Sequence, residues 1–280
     1  MLALWHPASG LGARMDLVPE RHLTPDGMEL TVDAGRVRHR QGNASVVKGV
    51  PYSNRQTTLS LLPGAVVGRW LADNADAVSG LLLDLGAGNQ PFKVWYSPLA
   101  EKCVSVDVTP SPGLDVLSLA APLPFRSEVF DTVLCTSVLE HVHDAEAVVS
   151  EIARILKPGG RLIITIPFLY PTHEAPYDFW RTTHLGLRSV LTRHGLEVDS
   201  VAAQGGPGLL VSHYLIFGFA QLVLLIARRL GRFGFLIDNR LVRALIAAPQ
   251  DLVRTRLSYR LTRSSRAASL GYMAVAHKPE

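Results

Sequence analysis

Chemistry is first concentrated where an apolar run ends in an acid and a glycine turn, Leu81-Leu82-Leu83-Asp84-Leu85-Gly86-Ala87-Gly88-Asn89. A strand ending so offers a carboxylate and backbone N–H groups at its carboxyl end, where open α/β sheets bind ligands. Glycines there allow ligand atoms close to the backbone. A second apolar run, Cys103–Val108, carries Asp107 near its end, twenty-three residues after Asp84. An acid in that place can accept from both ribose hydroxyls of a nucleoside. A dinucleotide site wants a small third residue after two spacers, and Pro91 stands there instead. An acid opening the turn suits a ligand ammonium better than a phosphate. The pattern fits a nucleoside carrying an amino acid.

A second cluster runs from Pro167 to His184 (PFLYPTHEAPYDFWRTTH) and mixes aromatics, two histidines, two acids and one arginine. It follows a strand's carboxyl end and should overhang the first site. Aromatics and carboxylates suit a sugar or quinone ring, and Arg181 suits a phosphate or carboxylate. Tyr170, Glu174, Asp178 and Arg181 are read as acceptor contacts. His173 is the better candidate base and His141 the second. The plain alternatives are that Asp178 and Arg181, at i,i+3 spacing, only pair with each other, and that His141 packs the next helix. No metal site is expected: His6, His22 and His39 are scattered, and the two cysteines, Cys103 and Cys135, lie in apolar runs.

These residues need a scaffold of alternating strands and helices. Strands are expected at Gly80–Leu85, Cys103–Val108, Leu114–Leu117, Asp131–Thr136, Arg161–Pro167, Val198–Ala203 and Tyr272–His277. Helical spacing marks Leu59–Ala77, Asp144–Lys157 and Leu185–His194, the second capped by Asp144 and stopped by Pro158-Gly159-Gly160. Such alternation implies parallel pairing with right-handed crossovers in an open α/β sheet. Before it, residues 1–58 read as a polar appendage with strand-like pieces at Glu29–Val32 and Ser45–Val47; no secretory signal is read at its start. The core is assigned to residues 59–206, an apolar and Arg-rich helical insertion to 207–268, and the last core strand to 269–280.

The 280 residues are 48% apolar and 19% charged, which excludes a disordered or collagen-like chain. Ten arginines between Arg228 and Arg266 face only Asp238 and Asp251, so that segment is +8 and the remaining chain, for a total of +4, is −4. Leu209–Ala227 is nineteen residues without a charge, close to the ~20 of a membrane span. If the last strand rejoins the sheet, both ends of the insertion lie on one side, which opposes a single crossing. Phe233–Ala248 is a poor second span because it carries Asp238, Arg240 and Arg243. An interfacial helix through residues 209–232, with arginines at headgroup level, fits better; a lid or dimer helix is the plain alternative. The basic residues lie beyond the core and no RNA-binding module is visible, so no nucleic-acid partner is expected.

The ordered set DLGAGNQ (84–90), VDV (106–108), LPFRSEVFD (123–131), VLEHV (138–142) and EIARILKPGG (151–160) resembles class I S-adenosylmethionine-dependent methyltransferases of the type 11-like kind. The resemblance covers about Leu59–Leu196 and the last strand. It implies a Rossmann-like seven-stranded mostly parallel sheet, ordered 3-2-1-4-5-7-6 with the last strand antiparallel, and S-adenosylmethionine as cofactor. It implies that Asp84, Gly86, Ala87 and Gly88 form the cofactor loop, that Asp107 takes the ribose, that Val108 lies beside the adenine, and that the backbone around Ser137 borders the methionine end. Where relatives place an acid near the adenine amino group, this chain has Ser118 and Leu119. The stretch His173-x-x-Pro176-x-Asp178-x-x-Arg181-x-Thr183 resembles methyltransferases found with polysaccharide and cell-envelope biosynthesis. The expectation is O-methylation of a small molecule or an envelope glycan or lipid precursor, by a cytoplasmic protein peripheral at the inner face of the membrane. C-methylation of a quinone-like ring and a catalytically silent binding module are the alternatives. Oligomeric state is not read.

Overall fold

The computed structural model describes residues 29–33, 36–40, 61–229 and 267–280. Two strands, β1 (Glu29–Asp33) and β2 (Arg36–Arg40), pair antiparallel. Of the expected lead-in strands, the first lies within β1, while Ser45–Val47 falls outside the described residues. So do the Phe233–Ala248 stretch and the arginines from Arg232 to Arg266; the side chains of Arg228 and Arg229 are likewise not described.

The core is a seven-stranded sheet. Its strands are β3 (Leu81–Leu85), β4 (Lys102–Asp107), β5 (Val116–Leu117), β6 (Phe130–Thr136), β7 (Leu156–Pro167), β8 (Glu197–Ala203) and β9 (Gly271–His277). They lie in the order β5-β4-β3-β6-β7-β9-β8. Counted within the sheet this is 3-2-1-4-5-7-6, and β9 runs antiparallel to both neighbours. The sheet and its helices have the Rossmann-like fold expected from the resemblance.

Alternation along the strands divides the core in two. Leu83, Leu85, Val104, Val106, Val133 and Cys135 pack with α3 (Ala145–Ile155) and α4 (His184–Arg193). Leu82, Leu134, Ile163 and Met273 pack instead with Val67, Trp70 and Leu71 of α1 (Leu61–Asp73) and Tyr96 of α2 (Lys93–Tyr96). Helix α3 forms as its spacing demands. Asp144 accepts the Ala147 N–H as its cap, and Ala145, Val148, Val149, Ile152 and Ile155 form the buried face.

Several boundaries differ from the sequence reading: the first helix ends at Asp73 ahead of a short 3-10 turn at Ala75–Ala77, the strand expected at Leu114–Leu117 is only Val116–Leu117, and α3 stops early. Helix α3 ends at Ile155, and Leu156 to Gly160 are the first residues of β7 rather than a separate stop. The chain terminus is the cause: Gly159 N–H donates to Lys278 O, and Lys278 N–H donates back to Gly160 O. Pairing with a segment more than a hundred residues away overrides the local turn signal.

The last long helix, α5 (Pro207–Arg229), contains the expected apolar run. Leu209 and Ile216 pack it against Leu270, with Tyr170 alongside. Val211, Leu215, Phe219, Leu222 and Leu225 remain exposed. Among the helices whose side chains are described throughout, none is long and apolar enough to cross a membrane.

Candidate active site

The loop after β3 folds back over the tip of β4. Gly86 N–H and Ala87 N–H both donate to Val106 O, and Gly88 N–H donates to Asp107 Oδ2 at 2.8 Å. Gly86 has φ +71, and a Cβ there would run into Val138 just after β6. Gly88 has φ +51, and a Cβ there would meet nothing within 4 Å. One glycine therefore seats the loop on its neighbour, and the other leaves open space beside Asp107.

Asp107 is buried. Its other oxygen, Oδ1, accepts from Thr109 N–H at 2.7 Å. Burial pushes its pKa up, and the backbone donors of Thr109, Gly88 and Val108 oppose that. Each carboxylate oxygen has two lone pairs, so these bonds leave capacity for two adjacent hydroxyls. Thr109 Oγ1 is buried nearby without a partner. Ser118 N–H donates to Asp107 O, which brings Ser118 and Leu119 beside the same strand tip. Asp115 is turned away, accepting from the Ser105 N–H and hydroxyl.

Asp84 faces α2, where Tyr96 Oη donates to its Oδ2 at 2.7 Å. Burial raises its pKa to about 6; the Tyr96 bond and Lys93 pull it down, while Asp107 pushes it up. Asp84 and Asp107 thus lie on neighbouring strand tips and sense each other. Ser137, with φ +55, stands at the end of β6, its N–H donating to Thr165 O and Oγ1. An open glycine face, a buried acid with spare acceptor capacity and an orphan hydroxyl are a good fit for the ribose of a nucleoside cofactor.

The stretch after β7 lies near this region. Glu174, at φ +54, lies within electrostatic reach of His141 and Asp107, and burial raises its pKa. His173 and His141 meet edge to face at 4.9 Å between ring centres, and Tyr170 lies 5.1 Å from His173. Burial, and then His141, lower the His173 pKa, which favours the neutral ring. His141 Nδ1 bonds Tyr177 O. Asp178 and Arg181 hold each other through two bonds, 2.6 and 2.7 Å, and Asp178 also accepts from His173 N–H. Their charges therefore brace the loop.

Several participants carry no periodic signal. Tyr96 lies twelve residues beyond Asp84 with nothing in the sequence to link them. His213 on α5 is buried, is held at a pKa of about 4 by burial, and stacks 4.9 Å from Tyr170. Glu140 sits beside His141 in the chain, and its orphan burial shows only in three dimensions.

Residues 83–164 match the family model described as a methyltransferase domain. An uncharacterized methyltransferase, YcgJ of Bacillus subtilis (strain 168), is 31% identical over 112 residues, 35% of this chain and 42% of that protein. A demethylmenaquinone methyltransferase of Mycolicibacterium paratuberculosis is 34% identical over 93 residues, 30% of this chain and 40% of that protein. The chain thus spans about two fifths of these relatives' length. Among solved structures, a protein of Galdieria sulphuraria provisionally described as a sarcosine dimethylglycine methyltransferase superposes with a TM-score of 0.51. It is 15% identical, with 77% of this chain and 86% of that chain covered, a likeness of fold alone. Residues 83–164 are thus similar to a methyltransferase domain, and the chain has a Rossmann-like fold.

Proposed function

We propose that the protein is an S-adenosylmethionine-dependent methyltransferase that O-methylates a small-molecule or lipid-linked acceptor, an envelope glycan precursor fitting best. The observation that carries this is the open face of Gly88 beside Asp107, with Asp84 on the adjacent strand tip and His141 and His173 on the loops nearby. When bound, S-adenosylmethionine supplies a methyl group on a cationic sulfur that leaves as a neutral thioether. Asp107 accepts the two ribose hydroxyls, with Val108, Ser118 and Leu119 along the base. Asp84 and the backbone of Gly86, Ala87 and Ser137 take the amino-acid end. His173, whose ring burial keeps neutral, would accept the acceptor proton through Nε2, and His141 is the second candidate for that base. Alignment of the three reacting atoms supplies much of the rate, on the order of 7–11 kcal/mol in well-oriented systems.

The apolar face of α5 supports a lipid-linked acceptor and peripheral contact with an anionic membrane surface. Its exposed Val211, Leu215, Leu222 and Leu225 extend from the end at which His213 stacks on Tyr170. A second reading, C-methylation of a quinone-like ring, is favoured by the demethylmenaquinone methyltransferase relative. Labelled cofactor and purified protein added to cell extract test both. A labelled O-methyl product supports the first reading, a ring-methylated lipid supports the second, and no calorimetric heat with the cofactor defeats both. Flotation with anionic liposomes tests the helix: protein that stays in the soluble fraction rules the contact out.

A further inference from the structure

Glu140 is fully buried at 0% exposure, and neither of its carboxylate oxygens has a hydrogen-bond partner. An acid left so in a protein interior asks for a ligand, since buried polar groups are normally satisfied. A pair of imidazoles stands close by. Glu140 Oε1 lies 3.8 Å from His141 Nε2, and one ligand atom each from Glu140, His141 and His173 fall within 4.8 Å of one another.

The imidazoles are oriented from behind. His141 Nδ1 bonds Tyr177 O, which places the proton on Nδ1 and a lone pair on Nε2, facing Glu140. His173 Nδ1 lies 3.3 Å from Pro171 O and 3.4 Å from both Asp178 Oδ2 and Arg181 Nη2; the two acceptors there outnumber the one donor, which favours the proton on Nδ1 and the lone pair on Nε2. Metal-binding histidines are held in this way, with the second nitrogen on a carbonyl or carboxylate. Asp178 is itself locked by Arg181 and by His173 N–H. The Arg181 guanidinium is the positive group facing the cluster, and its two bonds to Asp178 neutralise it. Glu174 adds negative charge on the exposed side.

We propose that Glu140, His141 and His173 form a binding site for a divalent cation of the zinc type. Two imidazoles and one carboxylate are a donor set that zinc accepts with a fourth position open. Tetrahedral bonds of ~2.0–2.2 Å put ligand atoms about 3.4 Å apart. Glu140 and His141 are within a few tenths of an ångström of that, and His173, on a half-exposed loop, closes the remainder. Chain spacing could not show this site, because Glu140 and His141 are adjacent and His173 comes thirty-two residues later, after the next strand. A bound cation takes the Nε2 lone pairs, so proton removal by either histidine belongs to the cation-free protein; the site's place beside an acceptor rests on the methyl-transfer reading, whereas cation binding does not, so the test omits both cofactor and acceptor.

The full chain, stripped with chelator, is titrated with Co²⁺ and followed by visible absorption and thermal unfolding. The expected result is one saturable equivalent with d–d bands and a raised Tm. Glu140→Gln and His173→Ala should each weaken uptake by about 100-fold or more, since loss of an outer partner alone costs ~10–100-fold. His143→Ala, a neighbouring histidine outside the cluster, should titrate as the wild type does. Should Glu140→Gln fail to fold, His173→Ala on the exposed loop still decides. Wild type without uptake at about 1 mM cobalt, roughly the weakest specific range, overturns the proposal, because a water then satisfies Glu140. Equal uptake by wild type and His173→Ala overturns it as well.

Discussion

Replacing Tyr96 by Phe removes one oxygen and isolates the role of Asp84. Tyr96 Oη donates to Asp84 Oδ2 at 2.7 Å, and both residues are buried. A hydrogen bond to a charged group contributes ~1.5–3 kcal/mol. Taking ~2 kcal/mol at ~1.36 kcal/mol per pKa unit, its loss raises the Asp84 pKa by ~1.5 units. The carboxyl would move from about 6 to ~7.5. If the ionised form receives the cofactor's ammonium, affinity follows the ionised fraction. At pH 7 that fraction falls from ~90% to ~25%, a loss of about 4-fold; well below pH 6 the loss approaches ~30-fold, and at pH 8.5 it nearly vanishes. Calorimetric titration with S-adenosylmethionine from pH 5.5 to 8.5 reads this directly. A pH midpoint common to wild type and Tyr96→Phe refutes the reasoning. So does an affinity loss that is the same at every pH, which would mean that Tyr96 acts through packing. The sign for stability follows from the same shift. A carboxyl raised from 3.8 to about 6 binds more protons folded than unfolded between those values. The ligand-free protein should therefore be most favoured by this group below pH 3.8 and lose ~3 kcal/mol as pH rises through about 6. In Tyr96→Phe the loss continues to pH ~7.5.

Asp107→Ala removes the ribose acceptor and the anchor of Gly88 N–H. Cofactor affinity should fall by ~10–100-fold, and unchanged calorimetric affinity would remove Asp107 from the site. His173→Ala should lower turnover by ~10²–10⁴-fold with cofactor affinity unaltered; full activity excludes it from proton transfer. Gly86→Ala places a methyl group against Val138 at φ +71 and should destabilise the fold by about 2 kcal/mol, read as a lower midpoint in urea. Gly88→Ala, at similar φ but in open space, should cost less stability and more cofactor affinity; equal effects at both glycines would contradict their separate roles.

Much of the scaffold could be read because its signals are local. An apolar run ending in Asp84 and a Gly-x-Gly turn has few conformations open to it. The α3 pattern, with Asp144 at its start, names its own cap and buried face. Boundaries failed where distant chain intervened, as at Gly159 and Gly160, which pair with Lys278. In the second cluster, residue types alone left Asp178 and Arg181 open to two roles. That two short bonds join them is visible only in the folded chain.

The sequence by itself determined the order of strands and helices, the placing of Asp84 and Asp107 at strand ends, and the aromatic and histidine content of the loop after β7. Each follows from periodicity of 2 or 3.6 and from turn chemistry, which act over a few residues. Tertiary structure alone decided that Tyr96 caps Asp84, that His213 on α5 stacks on Tyr170, and that Glu140 is buried unpaired beside two imidazoles. These are contacts between elements, set by which faces pack against the sheet. Their energies depend on burial and on partners that chain spacing does not encode.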